Sequence, residues 1–386
     1  MAVVHKNLSD KIKSIKNVLG LRGKRVLLRL DLNVPMERGC IVDATRIEKS
    51  LPTIKFLRKN KARIIIMSHL GDGSVSLKEV ARYINKFVPV GFIPQVIGEK
   101  VEETISKMPE GGILVLENLR REKGELANNP FFSMSLSRLG DIYVNEAFSE
   151  SHRACASIVS LPKFLPSFVG FQFEEEIREL SKVFIPKRPF LFILGGTKFE
   201  TKLPLIEKYL KIADTVFVGG ALMNSFFKSL GFEVGKTPAP GAGEKLKKLV
   251  RYKNLVLPTD VLVDDGLVRK IGEIRKDETI RDIGPESLAV LLSYIRKSKE
   301  ILFNGPLGEY ELGFDKTTKE TLLKVAKTNA RTIVGGGDTV VLISRLKIKD
   351  KFSFVSTAGG AMIQFLFMGT LPGIEALISN HLPPRK

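Results

Sequence analysis

The sequence has 386 residues, of which 44% are hydrophobic, and it carries a formal net charge of +19. This length predicts two domains, because single hydrophobic cores rarely grow beyond about 250–300 residues. The two cysteines, Cys40 and Cys155, lie far apart and argue against a disulfide framework and a structural zinc site. The sequence contains no secretory apolar segment and no run near ~18 apolar residues, so we expect a soluble cytoplasmic protein without a membrane span.

The surplus of positive charge is compatible with several kinds of anionic partner. A basic surface can steer small anionic metabolites, or bind nucleic acid or an acidic membrane. The basic residues are spread, however, over separate segments such as "KFLRKNKAR", "EKLKKLVRYK" and "RLKIKDK". This spread favours ordinary solvated helix faces over a nucleic-acid footprint, which makes nucleic acid an unlikely partner.

Short apolar runs alternate with helical stretches along the whole chain. In chain order the runs are "KRVLLRLDLNV", "ARIIIMSHL", "GGILVLENL", "DIYVNEAF", "PFLFILGG", "DTVFVGGAL", "NLVLPTDVLV", "EILFNGP", "RTIVGGG" and "FSFVST". The alternation predicts an α/β protein with two doubly wound lobes, each a parallel sheet covered by helices. The helical pattern "FVGFQFEEEIRELSKVFIPKRP" separates the fourth run from the fifth.

That helical pattern sets the expected domain organisation. We predict an N-terminal domain at residues 1–169, an interdomain helix at 170–186 and a C-terminal domain at 187–386. The extreme C-terminus is expected to return to the N-terminal domain.

In the first half, polar residues stand where apolar runs end. Arg29, Asp31 and Asn33 of "RLDLNVP" share one face of a strand, because successive side chains point to opposite faces. A half-exposed edge strand is the alternative, and a lone histidine is more often structural than functional. Guanidinium groups bind phosphate and carboxylate in a forked geometry, so the arginines could together hold a small, doubly anionic metabolite. The arginines and histidines in question are Arg29, Arg46, His69, Arg120, His152 and Arg153.

In the second half, the runs end in glycines. The segments "ILGGTKFETK", "FVGGAL", "FNGPLG" and "VGGGDT" would expose backbone N–H groups at helix N-termini, where a phosphate chain can bind. "GFEVGKT" is one residue too short for a Walker A loop, and no G-x-G-x-x-G follows a strand, which disfavours a nicotinamide enzyme. Together with Lys198, Lys202 and Asp338, this half predicts a polyphosphate site. The two halves therefore predict a two-substrate phosphoryl transferase.

At this level of detail the sequence resembles the phosphoglycerate kinase family. The ordered motifs run from Arg25 to Leu377 and include "RLDLNVP", "DATRI", "SHLG", "LENLR", "YVNEAFSESHRACAS", "ILGGTKFETK", "FNGPLGEYE", "GGGDT" and "STAGGA". The resemblance implies two Rossmann-like lobes, the N-terminal one for 3-phosphoglycerate and the C-terminal one for Mg-ATP or Mg-ADP. It implies reversible phosphoryl transfer from 1,3-bisphosphoglycerate to ADP, in a protein that is usually monomeric.

The resemblance also assigns roles to single residues. For phosphoglycerate it implies Asp31, Asn33, Arg46, His69, Arg120, His152 and Arg153. For the nucleotide it implies Gly195, Gly196, Lys198, Lys202, Gly219, Gly220, Asn304, Pro306, Glu311, Gly335, Gly336, Gly337, Asp338 and Thr339. It makes Arg46, Lys202 and Asp338 the catalytic residues and Asp338 the carboxylate for Mg²⁺.

The reaction implied by the resemblance needs no general base, since its acceptor is already a carboxylate. Catalysis then consists of positioning and neutralising charge on the transferring oxygens. Because separate lobes hold the two substrates, we predict that the lobes close before transfer.

Several residues depart from the family pattern near both substrates. Asp72 and Gly73 replace arginine and proline, and Arg121 replaces an aromatic residue. Thr201 stands where an acid precedes the second lysine, and Glu309 replaces a small apolar residue. The remaining departures are Cys155 for histidine and Ala358 for glycine.

These departures leave two alternatives to the kinase open. One is a catalytically weak protein of the same fold that binds nucleic acid or another anionic partner through its basic surface. The other is a small-molecule kinase with a different acceptor.

Overall fold

The chain forms two compact units in the computed structural model, which describes residues 8–241 and 243–380. One unit, called the N-unit, comprises Met1–Arg178 and Met368–Lys386, and the other, called the C-unit, comprises Glu179–Phe367. The first boundary between them falls inside the helix Phe171–Ser181.

The N-unit is built on a six-stranded sheet whose neighbouring strands are all parallel. Its strands, with a separate hairpin of β2 and β3, are β1 (Arg25–Arg29), β2 (Met36–Glu37), β3 (Cys40–Ile41), β4 (Arg63–Met67), β5 (Gly91–Phe92), β6 (Ile113–Val115), β7 (Ile142–Asn145) and β8 (Ser167–Val169). The order in the sheet is β5-β6-β4-β1-β7-β8. Strands β1 and β4 read as continuous apolar runs because helices cover both faces of a parallel sheet.

Among the residues described, seven helices, α1 to α7, occur in the first segment of the N-unit or begin there, and an eighth lies in its second segment, Met368–Lys386. They are α1 (Leu8–Lys11), α2 (Thr45–Lys59), α3 (Lys78–Asn85), α4 (Glu99–Ser106), α5 (Lys123–Leu126), α6 (Pro130–Arg138), α7 (Phe171–Ser181) and α15 (Pro372–Ile378). Local sequence explains where α6 begins. Asn129 accepts hydrogen bonds from Phe131 N and Phe132 N, and Pro130 occupies the first turn, where no N–H is needed.

The C-unit repeats the parallel arrangement with a second six-stranded sheet in the order β11-β10-β9-β15-β16-β17. The strands of the unit are β9 (Phe190–Leu194), β10 (Thr215–Val218), β11 (Leu255–Val256), β12 (Asp260–Val263), β13 (Val268–Lys270), β14 (Ile280–Ile283), β15 (Glu300–Asn304), β16 (Arg331–Gly335) and β17 (Phe354–Val355). The order reverses between β9 and β15, and open α/β sheets bind ligands at such a point. The prediction of two doubly wound parallel lobes is confirmed.

The helices of the C-unit connect these strands. They are α8 (Phe199–Tyr209), α9 (Gly220–Ser229), α10 (Glu244–Leu249), α11 (Pro285–Lys297), α12 (Lys316–Val325), α13 (Gly337–Leu346) and α14 (Gly360–Met368), the last of which ends at the first residue of the returning N-unit segment.

One predicted strand divides into two. The run "NLVLPTDVLV" contains β11 in the parallel sheet and β12 in a separate antiparallel sheet with β13 and β14. Pro258 lies between them and has no N–H for a strand ladder, so the chain leaves the first sheet there.

A buried carboxylate stabilises the start of α7. Glu146, directly after β7, accepts hydrogen bonds from Gln172 N at 3.1 Å and Phe173 N at 3.4 Å. Thr53 of α2 donates its hydroxyl to Glu146 and accepts from Phe171 N at 3.1 Å. Burial raises the pKa of Glu146 to about 7, against the opposing effect of these hydrogen bonds. Thr53 and Glu146 thus satisfy the first N–H groups of α7.

Replacing Thr53 should destabilise the N-unit. Thr53→Val keeps the shape but removes the buried hydroxyl donor of Glu146 and the acceptor of Phe171 N, which costs about 1–3 kcal/mol. Urea unfolding followed by circular dichroism should show a lower midpoint. The control Ser135→Ala removes an exposed hydroxyl that donates to Phe131 O, and should change stability by less than about 0.5 kcal/mol. Equal midpoints for Thr53→Val and wild type would contradict the role of Thr53.

Candidate active site

Charged side chains converge where β1, β4, β6 and β7 end side by side in the N-unit. Ion pairs and the effect of the arginines on the pKa of His69 connect these side chains into one group, which we call the arginine cluster. Its members are Arg29, Asp31, Arg46, His69, Arg120, Glu150 and Arg153. All but Arg29 and Glu150 belong to the residues that the family resemblance assigns to phosphoglycerate.

Arg29 is the buried centre of the arginine cluster, with 1% of its surface exposed. It donates from Nε to Ser157 Oγ at 2.9 Å and from Nη2 to His69 Nδ1 at 3.1 Å. Arginine can only donate, so His69 Nδ1 must accept and the neutral ring carries its proton on Nε2. Burial and the neighbouring arginines, Arg29 first, hold the pKa of His69 far below its ordinary value. His69 is therefore a neutral donor at physiological pH.

Arg46 is held at the edge of the cluster. Its Nη1 lies 2.8 Å from Asp31 Oδ2 and donates to Asn33 O at 3.1 Å. Ser149 donates its hydroxyl to the same Asp31 carboxylate, and Asn33 Oδ1 accepts from Gly71 N at 2.9 Å. Asp31 and Asn33 thus orient Arg46 and the following loop, while a third of the Arg46 side chain (33%) stays exposed.

Glu150 is the member of the cluster that sequence reasoning missed. It ends a 3-10 helix, Phe148–Glu150, that follows β7. Its Oε1 lies 3.6 Å from His69 Nε2, and its Oε2 lies 3.2 Å from Arg120 Nη2 and 3.5 Å from Arg153 Nε. His69 and Arg120 follow other strands and lie far from Glu150 in the sequence, so no local pattern could have indicated those two contacts. The acidic residue in "FSESHR" was the only available signal.

The loop after His69 accommodates two of the departures. Asp72 accepts from Ser74 N at 2.9 Å and Ser74 Oγ at 2.6 Å, and these hydrogen bonds lower its pKa. Arg121 donates to Gly73 O at 3.1 Å and to Glu117 Oε2 at 2.9 Å. Asp72 thus bonds within its own loop, and Arg121 holds that loop in place.

His152 and Cys155 lie beside the cluster. His152 Nδ1 is buried and has no hydrogen-bond partner among residues 8–241 and 243–380, and burial followed by the charge of Arg153 lowers the His152 pKa. Cys155 is a buried free thiol whose pKa is raised by burial. Burial of this kind makes a thiol unreactive.

A cleft of about 510 Å³ opens in the C-unit. Five of the predicted nucleotide-binding residues line it, namely Gly196, Gly220, Pro306, Glu311 and Asp338. The other predicted residues are not among its lining residues, and they are Gly195, Lys198, Lys202, Gly219, Asn304, Gly335, Gly336, Gly337 and Thr339.

Glycines allow three loops to meet beside this cleft. A Cβ on Gly195 would lie 2.1 Å from Pro306 O, and one on Gly220 would lie 2.5 Å from Gly196 N. Gly220 also has a φ of +59°, which side-chain-bearing residues rarely adopt. The loops after β9, β10 and β15 can therefore approach this closely only with glycine, and Gly220 opens α9 toward the cleft.

Lys202 lies beneath the glycine loops. Its ammonium donates to Gly195 O, and only 6% of the residue is exposed. Burial lowers the pKa of Lys202 to about 8, with Asp338 opposing that effect and Lys198 adding to it. Lys198 itself is exposed at the start of α8. Lys202 is therefore a cation whose charge changes close to physiological pH.

Asp338 lies in the first turn of α13 and lines the cleft. Gly336, with a φ of +101°, turns the chain into this helix. The Tyr310 hydroxyl donates to Asp338 Oδ1 at 3.2 Å. Thr339 Oγ1 is buried and lacks a hydrogen-bond partner among the residues described. The helix start thus presents free N–H groups, one hydroxyl and one carboxylate.

Glu309 and Asn304, two further residues near the cleft, differ from expectation in charge compensation and in burial. Glu309, a departure from the family pattern, forms an ion pair with Arg281, which also lines the cleft. Asn304 is 1% exposed, and its amide nitrogen lies 3.7 Å from Met362 Sδ. The charge of Glu309 is therefore compensated locally, and the role assigned to Asn304 stays a prediction.

The apolar end of the cleft was also missed by sequence reasoning. Met223 and Asn224, one turn into α9, line it together with Pro238, Pro240 and Leu307. Asn224 Oδ1 is buried and has no hydrogen-bond partner in the part of the chain described. An apolar pocket with a few unpartnered polar atoms is typical of small-molecule sites.

A family model described as phosphoglycerate kinase matches residues 15–368. The chain belongs to the phosphoglycerate kinase family. Curated relatives named phosphoglycerate kinase include those of Finegoldia magna and Thermosipho africanus, which are 40% and 38% identical over 390 residues. These alignments cover 95% and 94% of this chain and 98% and 97% of the relatives.

Solved structures agree with the family assignment. Phosphoglycerate kinases from Coxiella burnetii and Pyrococcus horikoshii match with TM-scores of 0.83 and 0.85, at 34% and 28% identity. Each match covers 95% of this chain and 98% of the other. The family and the enzyme class predicted from the sequence, a phosphotransferase with a carboxyl acceptor, are confirmed, and the nucleic-acid-binding alternative is not favoured.

No single helix among the described residues is long and apolar enough to cross a membrane. By length and composition alone, one bent pair, Gly360–Met368 with Pro372–Ile378, reaches the required hydrophobicity.

Gly220→Ala should impair the cleft specifically. The new Cβ would collide with Gly196 N, so the KM for ATP should rise by roughly tenfold, equal to about 1.4 kcal/mol. Gly231→Ala is the matched control, since Gly231 has a similar φ of +88° but no atom within 4 Å of the position that a methyl group would take. Steady-state kinetics on both variants separates the collision from backbone strain. A similar KM in the two variants would contradict the close approach of the loops.

Proposed function

We propose that this chain is an active phosphoglycerate kinase. It would transfer a phosphoryl group reversibly between 1,3-bisphosphoglycerate and ADP, producing 3-phosphoglycerate and ATP. The observation that carries the proposal is that one chain contains both an arginine cluster, in the N-unit, and a glycine-lined cleft, in the C-unit. Each has the chemistry that one substrate of this reaction requires.

The arginine cluster suits 3-phosphoglycerate. Arg46, Arg120 and Arg153 offer charge-assisted hydrogen bonds to phosphate and carboxylate oxygens, and neutral His69 offers one further N–H. Asp31 and Asn33 orient Arg46 and the loop after His69. We assign the first four residues to direct contact with the substrate and the last two to positioning.

The cleft suits a nucleotide. Its apolar end, with Met223 and the unpartnered Asn224 Oδ1, fits a purine that carries an N–H donor. We assign Glu311, which also lines the cleft, to the ribose hydroxyls. The loops at Gly196 and Gly220, with the helix start at Asp338, fit the phosphate chain.

Mg²⁺ would enter with the nucleotide. The described residues contain no group of three or more potential metal ligands, and Asp338 is the carboxylate that lines the cleft beside the helix start. This fits Mg²⁺, which typically takes one or two carboxylates and completes its shell with phosphate oxygens and water. Bound in this way, the ion would neutralise phosphate charge.

The chain's own residues would then stabilise the transfer. Arg46 of the N-unit and Lys202 of the C-unit would each supply positive charge to the transferring oxygens, where preorganised charge is most effective. The acceptor carboxylate needs no deprotonation. We also propose that the enzyme works as a cytoplasmic monomer, and the predicted closure of the lobes stays a prediction.

A coupled assay with 3-phosphoglycerate and Mg-ATP tests the function. Lys202→Ala and Arg46→Ala should each lower kcat by about a hundredfold or more, and removing the metal with a chelator should stop turnover. Arg58→Ala, on the same helix as Arg46, and Lys211→Ala, just after the helix of Lys202, replace exposed cations and should retain full activity. Absence of turnover in the folded wild type would refute the proposal.

The depressed pKa of Lys202 predicts the pH dependence of the reaction. Lysine is charged below its pKa, so kcat/KM for ATP, which reports the free enzyme, should fall as the pH rises above about 8. Lys202→Arg keeps its charge and should move this alkaline limb upward, whatever its effect on the maximal rate. Lys211→Arg should leave the limb unchanged. An identical limb in Lys202→Arg and wild type would show that another group titrates.

A further inference from the structure

The carboxylate of Glu150 occupies the middle of the arginine cluster. Both of its oxygens face donors, with His69 Nε2 at 3.6 Å from Oε1 and Arg120 and Arg153 at 3.2 and 3.5 Å from Oε2. Only 6% of the residue is exposed. Two guanidinium groups and an imidazole N–H around one carboxylate are the surroundings that an anionic ligand would need.

Glu150 fills these surroundings incompletely. The contact of His69 Nε2 with Oε1 is too long for a hydrogen bond, and this buried nitrogen has no hydrogen-bond partner among the described residues. Because Arg29 donates to the other ring nitrogen, the proton must be on Nε2 and points to an unmet acceptor. Buried donors are normally satisfied, so the site is built for an oxygen that comes closer than that of Glu150.

The side chain of Glu150 is also weakly held compared with its backbone. Among residues 8–241 and 243–380, its one side-chain hydrogen bond comes from Arg120 Nη2, whereas Glu150 N donates to Ala147 O at 3.1 Å and Glu150 O accepts from Arg153 N at 3.0 Å. The neighbouring Ser149 is tied to Asp31. The carboxylate can therefore leave the cluster by side-chain rotation while the 3-10 helix stays in place.

We propose that Glu150 is an internal competitor for the anion site, which its carboxylate occupies until 3-phosphoglycerate displaces it. This inference rests on the proposed function for the identity of the ligand. The competition makes the apparent dissociation constant larger than the intrinsic one by the reciprocal of the fraction of molecules with an open site. Glu150 then sets the affinity for the substrate without taking part in phosphoryl transfer.

Protonation should weaken this competitor. The charged or titratable groups that act on Glu150 or lie against it are Arg29, Asp31, His69, Arg120, Arg153 and Cys155. Burial raises the pKa of Glu150, and Asp31 raises it further, against the arginines. The pKa of His69 is lowered and the pKa of the Cys155 thiol is raised, so His69 stays neutral and Cys155 stays protonated as the pH falls from neutral to mildly acidic. Neither group therefore changes the charge of the cluster. A lower pH therefore removes the charge of the competitor and opens the site.

The contrary view is that Glu150 is a clamp that positions Arg120 and Arg153 for substrate. The two views predict opposite signs. Removing a competitor lowers the KM for 3-phosphoglycerate, and removing a clamp raises it. Neither the KM for ATP nor the fold stability makes this distinction.

The test compares Glu150→Gln with wild type and with Glu110→Gln. Glu110 precedes β6 and forms an ion pair with Arg22, which precedes β1. This pair lies at the N-terminal ends of the strands, away from the cluster at their C-terminal ends, so Glu110→Gln controls for loss of an acid from the N-unit. We expect the KM for 3-phosphoglycerate to fall about five- to tenfold in Glu150→Gln, with kcat within about twofold and the KM for ATP unchanged. The ratio of wild-type to Glu150→Gln KM should shrink toward one as the pH is lowered toward the raised pKa of Glu150, because protonation removes the charge of the competitor.

A binding measurement separates this inference from the proposed function. Inorganic sulfate is a probe anion that the reaction cannot consume. Calorimetry should show that Glu150→Gln binds sulfate more tightly than wild type or Glu110→Gln, by a factor similar to the expected change in the KM for 3-phosphoglycerate. Glu150→Ala provides a second variant if the glutamine variant unfolds, with folding checked by circular dichroism. A higher KM for 3-phosphoglycerate, weaker sulfate binding, or a KM ratio independent of pH would overturn the inference. Tighter sulfate binding without any turnover in the wild type would support the competitor and refute the kinase proposal.

Discussion

The alignment of parallel strands is the constraint on which both half-sites depend. In the N-unit, Arg29 at the end of β1 pairs in register with Met67 of β4 and Asn145 of β7. In the C-unit, Asn304 pairs with Leu194 and Gly335. Residues far apart in sequence therefore leave each sheet at one edge, where side chains or glycine loops can surround a ligand. A shift of register by one residue would turn every exiting side chain to the other face of its sheet.

The N-unit solves a second problem, which is to hold several arginines together without an anion. Like charges a few ångströms apart repel, and a buried cation loses its hydration. Arg29 meets this cost with hydrogen bonds to Ser157 and His69, and Arg46 meets it with Asp31. Glu150 does the same for Arg120 and Arg153. These internal partners compensate the charges of the cluster, and Glu150 is the one among them that we propose a ligand displaces.

The sequence was sufficient for those features that local patterns encode. Alternating apolar runs predicted both sheets, and short motifs indicated polar residues just after strands, such as His69 after β4 and Asp338 after β16, whose roles stay predictions. Features that depend on long-range contacts were missed. Glu150 contacts His69 and Arg120, which follow other strands. Asn224 lines the cleft because of its position on α9. Pro258 indicates the break in "NLVLPTDVLV", but the nearly continuous apolar pattern predicted a single strand there.

The two units offer different means of holding an anion, and this difference bears on how a departure from the family pattern would act. The C-unit relies on backbone N–H groups at glycine turns and helix starts, which a side-chain substitution nearby leaves in place. Glu309 there is neutralised by Arg281, and Asp72 in the N-unit bonds to Ser74 of its own loop. The N-unit relies instead on side-chain charge, so a carboxylate inside its cluster, such as that of Glu150, would compete directly with an anionic ligand. The two carboxylates therefore differ in their surroundings, since Glu309 beside the glycine cleft is paired with Arg281, whereas Glu150 lies among the arginines that we propose for the substrate.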